Sequence, residues 1–262
     1  MRLATWNINS IRPRLHLIEQ MVAAENPDVI CLQETKVEDH KFPVKPLQDM
    51  GFDHIELFGM KAYHGVAILS RIPLGDHAKH HWCGLDDTRH QSVTLPGGVD
   101  LHNIYLPAGG DEPDPARNPK FDHKLRFLTE QTEWWSQQDP KRKRILVGDL
   151  NVAPLETDVW SHKQLLKVVS HTPIEIDHLD RLQAAHGWVD AVRSKIDPSE
   201  PLYSWWSYRA KDWRASNKGR RLDHIWVTPS LAPAIRDVRV LIDARGWEKA
   251  SDHAPVLIDL KD

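Results

Sequence analysis

The chain has 262 residues, a formal net charge of −3 and a hydrophobic content of 40%. That length allows one substantial core, and sheet-rich folds of this size are often single domains. No apolar run is long enough to span a bilayer, and the near-neutral charge means that any nucleic-acid contact must come from local basic patches.

The chain opens directly on Leu3-Ala4-Thr5-Trp6, without the charged region, apolar stretch and cleavage site of a signal peptide. A cytoplasmic protein is the expectation. Cys31 and Cys83 lie in apolar or aromatic settings. A lone disulfide is one reading; two buried free thiols in a reducing cytosol are favoured. The 11 Trp and 16 His are unusual counts. Much of the Trp should be core, but several fall in Arg-rich loops, and most of the His should be surface residues.

Arg2 to Ile8 reads as an apolar strand ending in Asn7-Ile8-Asn9-Ser10. Pro13 suits a helix start, and Leu15, Ile18 and Val22 follow at helical spacing. Asn26-Pro27 ends that helix. Asp28 to Leu32 is a second buried strand, closing on Gln33-Glu34-Thr35-Lys36. Strand, helix and strand are thus complete by residue 36, a layered α/β start. Further strands are expected at Phe52 to Phe58 and Val66 to Ser70. Ser92 to Leu95 and Val99 to Tyr105 pair as a hairpin through Pro96-Gly97-Gly98.

Ala108 to Pro119 is a Gly- and Pro-rich loop, read as lying over a site. Phe121, Leu125, Leu128 and Trp135 mark one face of a long helix, with Lys124 and Arg126 assigned to the other side. Ile145-Leu146-Val147-Gly148-Asp149-Leu150-Asn151 then reads as a buried strand that breaks into two polar residues. A buried unpaired polar group costs about 1–3 kcal/mol, so such a pair belongs at a sheet's rim, holding a metal or a water. Pro154 to His186 is expected to be helical, irregular and packed on one face. Tyr203 to Arg209 alternates aromatic with polar residues, and Lys211 to Arg221 is strongly basic around Trp213. Strands are expected at Leu222 to Val227, Val238 to Ile242 and Val256 to Leu260.

Polar residues recur at strand ends: Asn7, Glu34, Tyr105, Asp149, Asn151, Asp223, Asp252 and His253. Carboxylate and carbonyl oxygens suit Mg²⁺ or Mn²⁺, and Mg²⁺ takes one or two carboxylates and leaves positions for water and phosphate. Glu34 and Asp252 are candidates for that role. The sequence has no Cys/His zinc spacing, no serine nucleophile elbow and no Gly-rich phosphate loop.

Six motifs occur in order: Trp6-Asn7-Ile8-Asn9, Leu32-Gln33-Glu34-Thr35-Lys36, Tyr105-Leu106-Pro107, Gly148-Asp149-Leu150-Asn151-Val152-Ala153-Pro154, Arg221-Leu222-Asp223 and Ser251-Asp252-His253-Ala254-Pro255. Together they resemble the exonuclease III family of abasic-site endonucleases, within the endonuclease/exonuclease/phosphatase superfamily. The resemblance runs from Arg2 to Leu260 and is closest to the bacterial exonuclease III branch. It implies one catalytic domain over 1–262, with an α/β four-layer αββα sandwich of two central mixed sheets flanked by helices.

The resemblance also implies roles. Glu34 would be the principal Mg²⁺ ligand beside Asn7 and Asp252, with Asp149, Asn151 and His253 adjoining the metal and Mn²⁺ as a substitute ion. Asp149 would orient or deprotonate the attacking water, and Asn151 would hold Asp149 and the phosphate. Asp223 would pair with His253, which would bind the scissile phosphate, and Tyr105 would contact the phosphate or assist the leaving group. An alternative for Asp223 is a salt bridge with Arg220 or Arg221; for Tyr105, a core position.

Trp205, Trp206, Trp213 and Leu222 resemble the family's pocket for a flipped-out abasic sugar. Lys120, Arg209 and Arg220, with Lys211, Arg214, Lys218 and Arg221, would contact DNA. One departure stands out. Ala108 occupies a position where the family often carries an amide, and Asn118 or the Gly109-Gly110 backbone are the candidate substitutes. The implied activity is Mg²⁺-dependent cleavage of duplex DNA 5′ to abasic sites and from 3′ ends, by a monomer. The rivals are a superfamily phosphodiesterase or phosphatase acting on RNA or a non-nucleic-acid phosphoester, and a non-catalytic DNA-binding protein.

Overall fold

The computed structural model describes residues 1–261. Its strands are β1 (Arg2–Asn7), β2 (Val29–Gln33), β3 (His54–Phe58), β4 (Val66–Ser70), β5 (His77–Trp82), β6 (Leu85–Leu95), β7 (Val99–Tyr105), β8 (Arg144–Asp149), β9 (Val189–Asp190), β10 (Trp205–Trp206), β11 (Gly219–Arg220), β12 (Asp223–Val227), β13 (Ile235–Val240) and β14 (Val256–Leu260). Its helices are α1 (Leu15–Glu25), α2 (Val44–Asp49), α3 (Pro119–Ser136), α4 (His162–Leu165), α5 (Pro173–Ala185) and α6 (Trp213–Ser216).

Two six-stranded sheets form, ordered β13-β14-β1-β2-β4-β3 and β5-β6-β7-β8-β12-β9. Both are mixed: β1 runs parallel to β2 and β7 parallel to β8, while their other neighbours are antiparallel. Side-chain alternation along each strand explains the layers. Leu3, Val29, Cys31 and Ile68 point toward Leu101, Ile145, Val147 and Ile225 of the other sheet and make the central core. The intervening Ala4, Trp6, Ile30 and Leu32 face outward and are covered by Leu17, Ile18 and Met21 of α1 and Leu47 of α2. On the far side, Ile104, Leu146 and Trp226 are covered by Phe127, Leu128 and Trp135 of α3 and Leu179 and Leu182 of α5. Each such buried aliphatic residue is worth about 1.5–3 kcal/mol. The expected four-layer αββα sandwich is therefore the observed fold.

The sheets are also joined by polar groups. Gln33 Nε2 donates to Thr5 Oγ1 and to Asn103 Oδ1, and Asn103 Nδ2 donates to the Leu32 and Ala67 carbonyls. This buried link ties β2 to β7 across the core through the two amide nitrogens.

Several details differ from the sequence reading. Strand β6 extends back to Leu85, and β5 was not anticipated, because its His-rich run lacks apolar alternation. Lys124 is fully buried, whereas Arg126 on the same helix is exposed and pairs with Asp122. Helical spacing alone could not separate them, since α5 covers one and not the other. The histidines are less superficial than expected: His90, His102, His171, His186 and His224 are buried. Cys31 is buried and free; Cys83 is also free but only partly covered. No described helix is long and apolar enough to cross a membrane.

Candidate active site

Strand direction brings the polar residues together. Parallel β1 and β2 finish at Asn7 and before Glu34, and parallel β7 and β8 finish at Tyr105 and Asp149. Strand β12 runs antiparallel to β8, so its first residue Asp223 lies opposite Asp149. Strand β14 runs antiparallel to β1, so Asp252 and His253, just before it, reach the same end. Gly148 permits the close passage of β8 by β7: its φ is +144°, and a Cβ there would lie 1.8 Å from the Ile104 carbonyl oxygen.

Beyond the strand ends the backbone turns sharply. Asn9, Glu34, Lys36 and Asn151 all adopt φ between 43° and 56°, at 47°, 51°, 53° and 52°. Non-glycine residues there carry strain that surrounding bonds must hold, and such strain concentrates at functional sites. The Glu34 turn is held by Ser10 N donating to the Glu34 carbonyl and Thr35 N to that of Gly65.

Asn7 links the acids. Its Nδ2 donates to Glu34 Oε1 and to Asp149 Oδ2, each at 2.9 Å, while its oxygen accepts from Asn9 N. Asp149 Oδ1 accepts from the Asn151 backbone N–H at 3.0 Å. The Asn151 side-chain amide instead donates to the Leu106 carbonyl, so it is the backbone of Asn151 that holds Asp149. His253 Nδ1 meets Asp223 Oδ2 at 2.8 Å, and its Nε2 lies 3.7 Å from Asp149 Oδ2. Asp223 therefore pairs with His253; Arg221 goes to Asp158 and Asp190, and Arg220 to the Val169 carbonyl and Ser170. Asp252 accepts from Asn9 Nδ2 at 3.0 Å and from Trp205 Nε1 at 2.9 Å.

Protonation follows from these neighbours. Burial pushes the Asp149 carboxyl up to about 7, although the facing His253 pulls it down. Burial would lower His253, but Asp223 and Asp149 outweigh it and lift the imidazole to about 10. Burial would raise Glu34, but Lys36, Asn7 and Tyr105 overcome it and hold the carboxyl below its usual range. Burial, then Glu34 and Asp149, keep Tyr105 a neutral phenol.

The donor set is oxygen-rich: Glu34 and Asp252 carboxylates on the cleft wall, with Asn7 and Asp149 adjoining Glu34. Glu34 Oε2 pairs with the Lys36 ammonium at 2.7 Å, so this carboxylate already faces positive charge. Oxygen ligands of this kind suit a hard divalent cation. Oxygens of Asp149 and Asp223 and a ring nitrogen of His253 also lie within 4.8 Å of one another.

These groups open into a cleft of about 560 Å³. Arg209, Lys218 and Arg220 give it positive walls, and Trp160, Trp205 and Leu222 an apolar one. Arg220 stacks over Trp205 at 5.2 Å and Lys218 over Trp160 at 4.6 Å. Several expected contributors lie outside the cleft lining: Trp206 and Arg221 are buried, Arg214 pairs with Asp243, and Lys211, Trp213 and Lys120 do not line it. Trp213 sits behind the cleft, against Trp206 and Arg245, because the turn from Asp212 into α6 swings it away. Lys120 is exposed in the first turn of α3, outside the cleft lining. Asn118 does not replace the missing amide: its Nδ2 donates to the Gly109 and Glu112 carbonyls and its oxygen caps α3. Gly110 and Ala108 line the cleft instead.

Sequence reasoning missed Ser204, whose hydroxyl donates to Asp223 Oδ2 at 2.6 Å and accepts from Leu222 N and Asp223 N. A serine between aromatics carries no chemical signal of its own. Lys36 and Asn9 were noticed only within motifs, yet Lys36 Nζ donates to Asn9 Oδ1 and joins both to the acidic group. Their period-two spacing from Glu34 and Asn7 was the available clue.

Residues 4–253 match the family model described as the Endonuclease/Exonuclease/phosphatase family. The chain is 31% identical to an exodeoxyribonuclease III of Haemophilus influenzae over all of both chains. It is 28% identical to an exodeoxyribonuclease of Bacillus subtilis over 98% of each. Among solved structures it resembles an AP endonuclease from Archaeoglobus fulgidus, with 32% identity, a TM-score of 0.92 and full coverage of both chains. It also resembles a Neisseria 3′ phosphatase, NExo, bound to product DNA hairpin, at 32% identity, TM-score 0.91 and full coverage of both.

Proposed function

The chain belongs to the endonuclease/exonuclease/phosphatase family, and on that footing we propose that it is a DNA repair nuclease. It hydrolyses the phosphodiester 5′ to abasic sites, leaving a 3′-hydroxyl, and removes nucleotides and blocking groups from 3′ ends of duplex DNA. The observation that carries this reading is Asp149, pinned by Asn7 and the Asn151 N–H and facing a histidine held charged by Asp223, at the floor of an Arg- and Trp-walled cleft.

Glu34 and Asp252, with Asn7, Asp149, Asn151 and His253 adjoining, would hold the metal, which we assign as Mg²⁺. Bound there, the ion supplies charge stabilisation at the phosphate oxygens. The chain does the rest. Asp149 orients the attacking water and accepts its proton as the new P–O bond forms. A base near pH 7 suits that task. His253, doubly charge-assisted, donates toward a non-bridging oxygen, where positive charge is worth most as negative charge develops. Tyr105, a neutral phenol, offers its proton near the leaving 3′-oxygen. Arg209 and Arg220 bind phosphates, which positions the duplex without reading its sequence. Trp205 and Leu222 offer an apolar wall to an extruded sugar, and extrusion is cheapest where the base is already gone. We assign the work to one catalytic unit acting as a monomer in the cytoplasm.

The test is an end-labelled duplex with one synthetic abasic site, with and without Mg²⁺, beside an intact duplex with a recessed 3′ end. A single Mg²⁺-dependent cut 5′ to the lesion is expected, together with shortening of the recessed strand. Cleavage of neither duplex by folded protein would reject the DNA reading and favour another phosphoester.

A further inference from the structure

The buried ammonium of Lys124 touches two loops of the cleft directly and a third through Glu175. The residue is fully buried in α3. Its Nζ donates to the Asn151 carbonyl at 2.8 Å, to the Ala108 carbonyl at 3.3 Å and to Glu175. Glu175 is itself fully buried near the start of α5. Its carboxylate accepts from Ser170 N, Thr172 N and Thr172 Oγ1. Ser170 passes the linkage on: its hydroxyl accepts from Arg220 Nη1 at 2.8 Å, which also donates to the Val169 carbonyl.

The loops so joined are the ones that bear the chemistry. Asn151 carries the backbone N–H that holds Asp149. Ala108 follows Tyr105 by three residues, in the loop that departs from the family's pattern. Val169 and Ser170 line the cleft and hold Arg220. Gly109 fits the same arrangement. Its φ is +91°, and a Cβ there would lie 2.9 Å from Lys124 Cδ and 3.2 Å from Val169 Cγ1. Only glycine lets this loop close down on the lysine stem.

Burial of a lone ammonium is very costly, and replacing a buried ion pair with apolar residues is often neutral or stabilising. Stability alone therefore gives weak reason for a lysine here. Two carbonyl acceptors on two site loops give a better one, since each must be aimed at a fixed point.

Building on the nuclease reading, we infer that Lys124 is a positioning residue: with Glu175 it fixes the Asn151, Ala108 and Ser170 loops relative to one another, and through them sets Asp149 and Arg220. Misplacement of a reacting group by about 1 Å can cost about 10²-fold in rate.

The test uses the full chain with Lys124→Met, with Leu182→Ala as a control that loosens the core beside α5 away from the cleft. Hydrogen exchange read by mass spectrometry needs no substrate. Lys124→Met should deprotect segments 106–112, 149–155 and 168–172, while Leu182→Ala leaves them protected. On the abasic duplex, measured well below each Tm, Lys124→Met should lower kcat about tenfold or more with KM nearly unchanged. In an Asp149→Asn background it should cost little more, because both changes act on one carboxylate. Should Lys124→Met fail to fold, Lys124→Met/Glu175→Gln removes both charges and takes the same measurements. Unchanged exchange in those segments, or a kcat loss matched by Leu182→Ala, would overturn the inference. A wild-type protein inactive on DNA would count against the nuclease reading and leave the exchange data to decide the role of Lys124.

Discussion

His253 and His90 are both buried, at 4% and 0% exposure, yet their rings sit at opposite ends of the titration range. Burial disfavours charge in both. At His253 two carboxylates reverse it: Asp223 at 2.8 Å and Asp149 at 3.7 Å. At His90 the neighbours are neutral or are donors. Trp82 Nε1 points at its Nδ1 at 3.2 Å, and its Nε2 lies 2.9 Å from His102 Nδ1. Burial, then His80 and His102, hold it well below the ordinary value. Burial depth is therefore no guide to a histidine's charge; the group against the ring decides it. Nor do His80, His90 and His102 make an obvious metal site, although their nitrogens lie within 4.8 Å of one another. The His80 and His90 rings stack at 4.2 Å and 26°, and His90 Nε2 already faces His102 Nδ1 at 2.9 Å, so these nitrogens are engaged with one another.

The contrast can be broken hardest at Asp149. Asp149→Asn removes one of the two carboxylates at His253 and the base itself. We expect kcat on the abasic duplex to fall by about 10²–10⁴-fold, the usual share of a general base, with DNA binding retained in an anisotropy assay. Normal turnover would mean that another group activates the water. Asp223→Asn should cost about 10- to 100-fold, the typical loss when a group orienting a functional histidine is replaced. The His253 ring should titrate near neutrality by NMR, and a ring still charged at high pH would assign the charge to Asp149 alone.

The outer cluster gives the smallest and the opposite effect. His90→Leu leaves Trp82, Gln131 and His102 without their partner and should lower stability by about 1–3 kcal/mol while kcat is kept. Its pH dependence also has a definite sign. His80 is held down to about 4 and His90 and His102 well below their ordinary value, burial being the largest cause in each; His81 and His77 add to it at His80, His80 and His102 at His90, and His80, Arg144 and His186 at His102. The folded state keeps these rings neutral, while the unfolded chain takes up protons below about 6.5. Their contribution is thus complete above that pH and lost as pH falls toward 4. Chemical denaturation at pH 7.5 and 5.0 should show the loss, and His90→Leu should reduce its slope. An equal slope in both proteins would place the acid sensitivity elsewhere.

Much of the site was legible because its residues end apolar strands. Asp149 after Ile145-Leu146-Val147, and Glu34 after Val29 to Leu32, are polar groups where a strand stops, and a strand stops at a sheet's rim. The αββα layering was legible through the resemblance and is explained by period-two alternation. Ser204 and Lys124 were not legible. A serine flanked by aromatics and a lysine on an amphipathic helix are ordinary until a neighbouring element covers them. Trp213 shows the converse: a basic, aromatic loop suggested a cleft residue, but the turn into α6 carries the ring behind it.

By itself, the sequence determined which residues carry acid, amide and imidazole chemistry, in what order, and at which strand ends, because these are local properties of pattern and residue type. The tertiary structure decided which of those groups meet and in what charge state. Asp149 lies opposite Asp223 only through the antiparallel register of β12 on β8. His253 is charged, and His90 is not, only because folding sets carboxylates against one ring and an indole N–H against the other. Pairing between separate strands and the electrostatics of a buried neighbour are properties of the folded chain, and no single stretch encodes them.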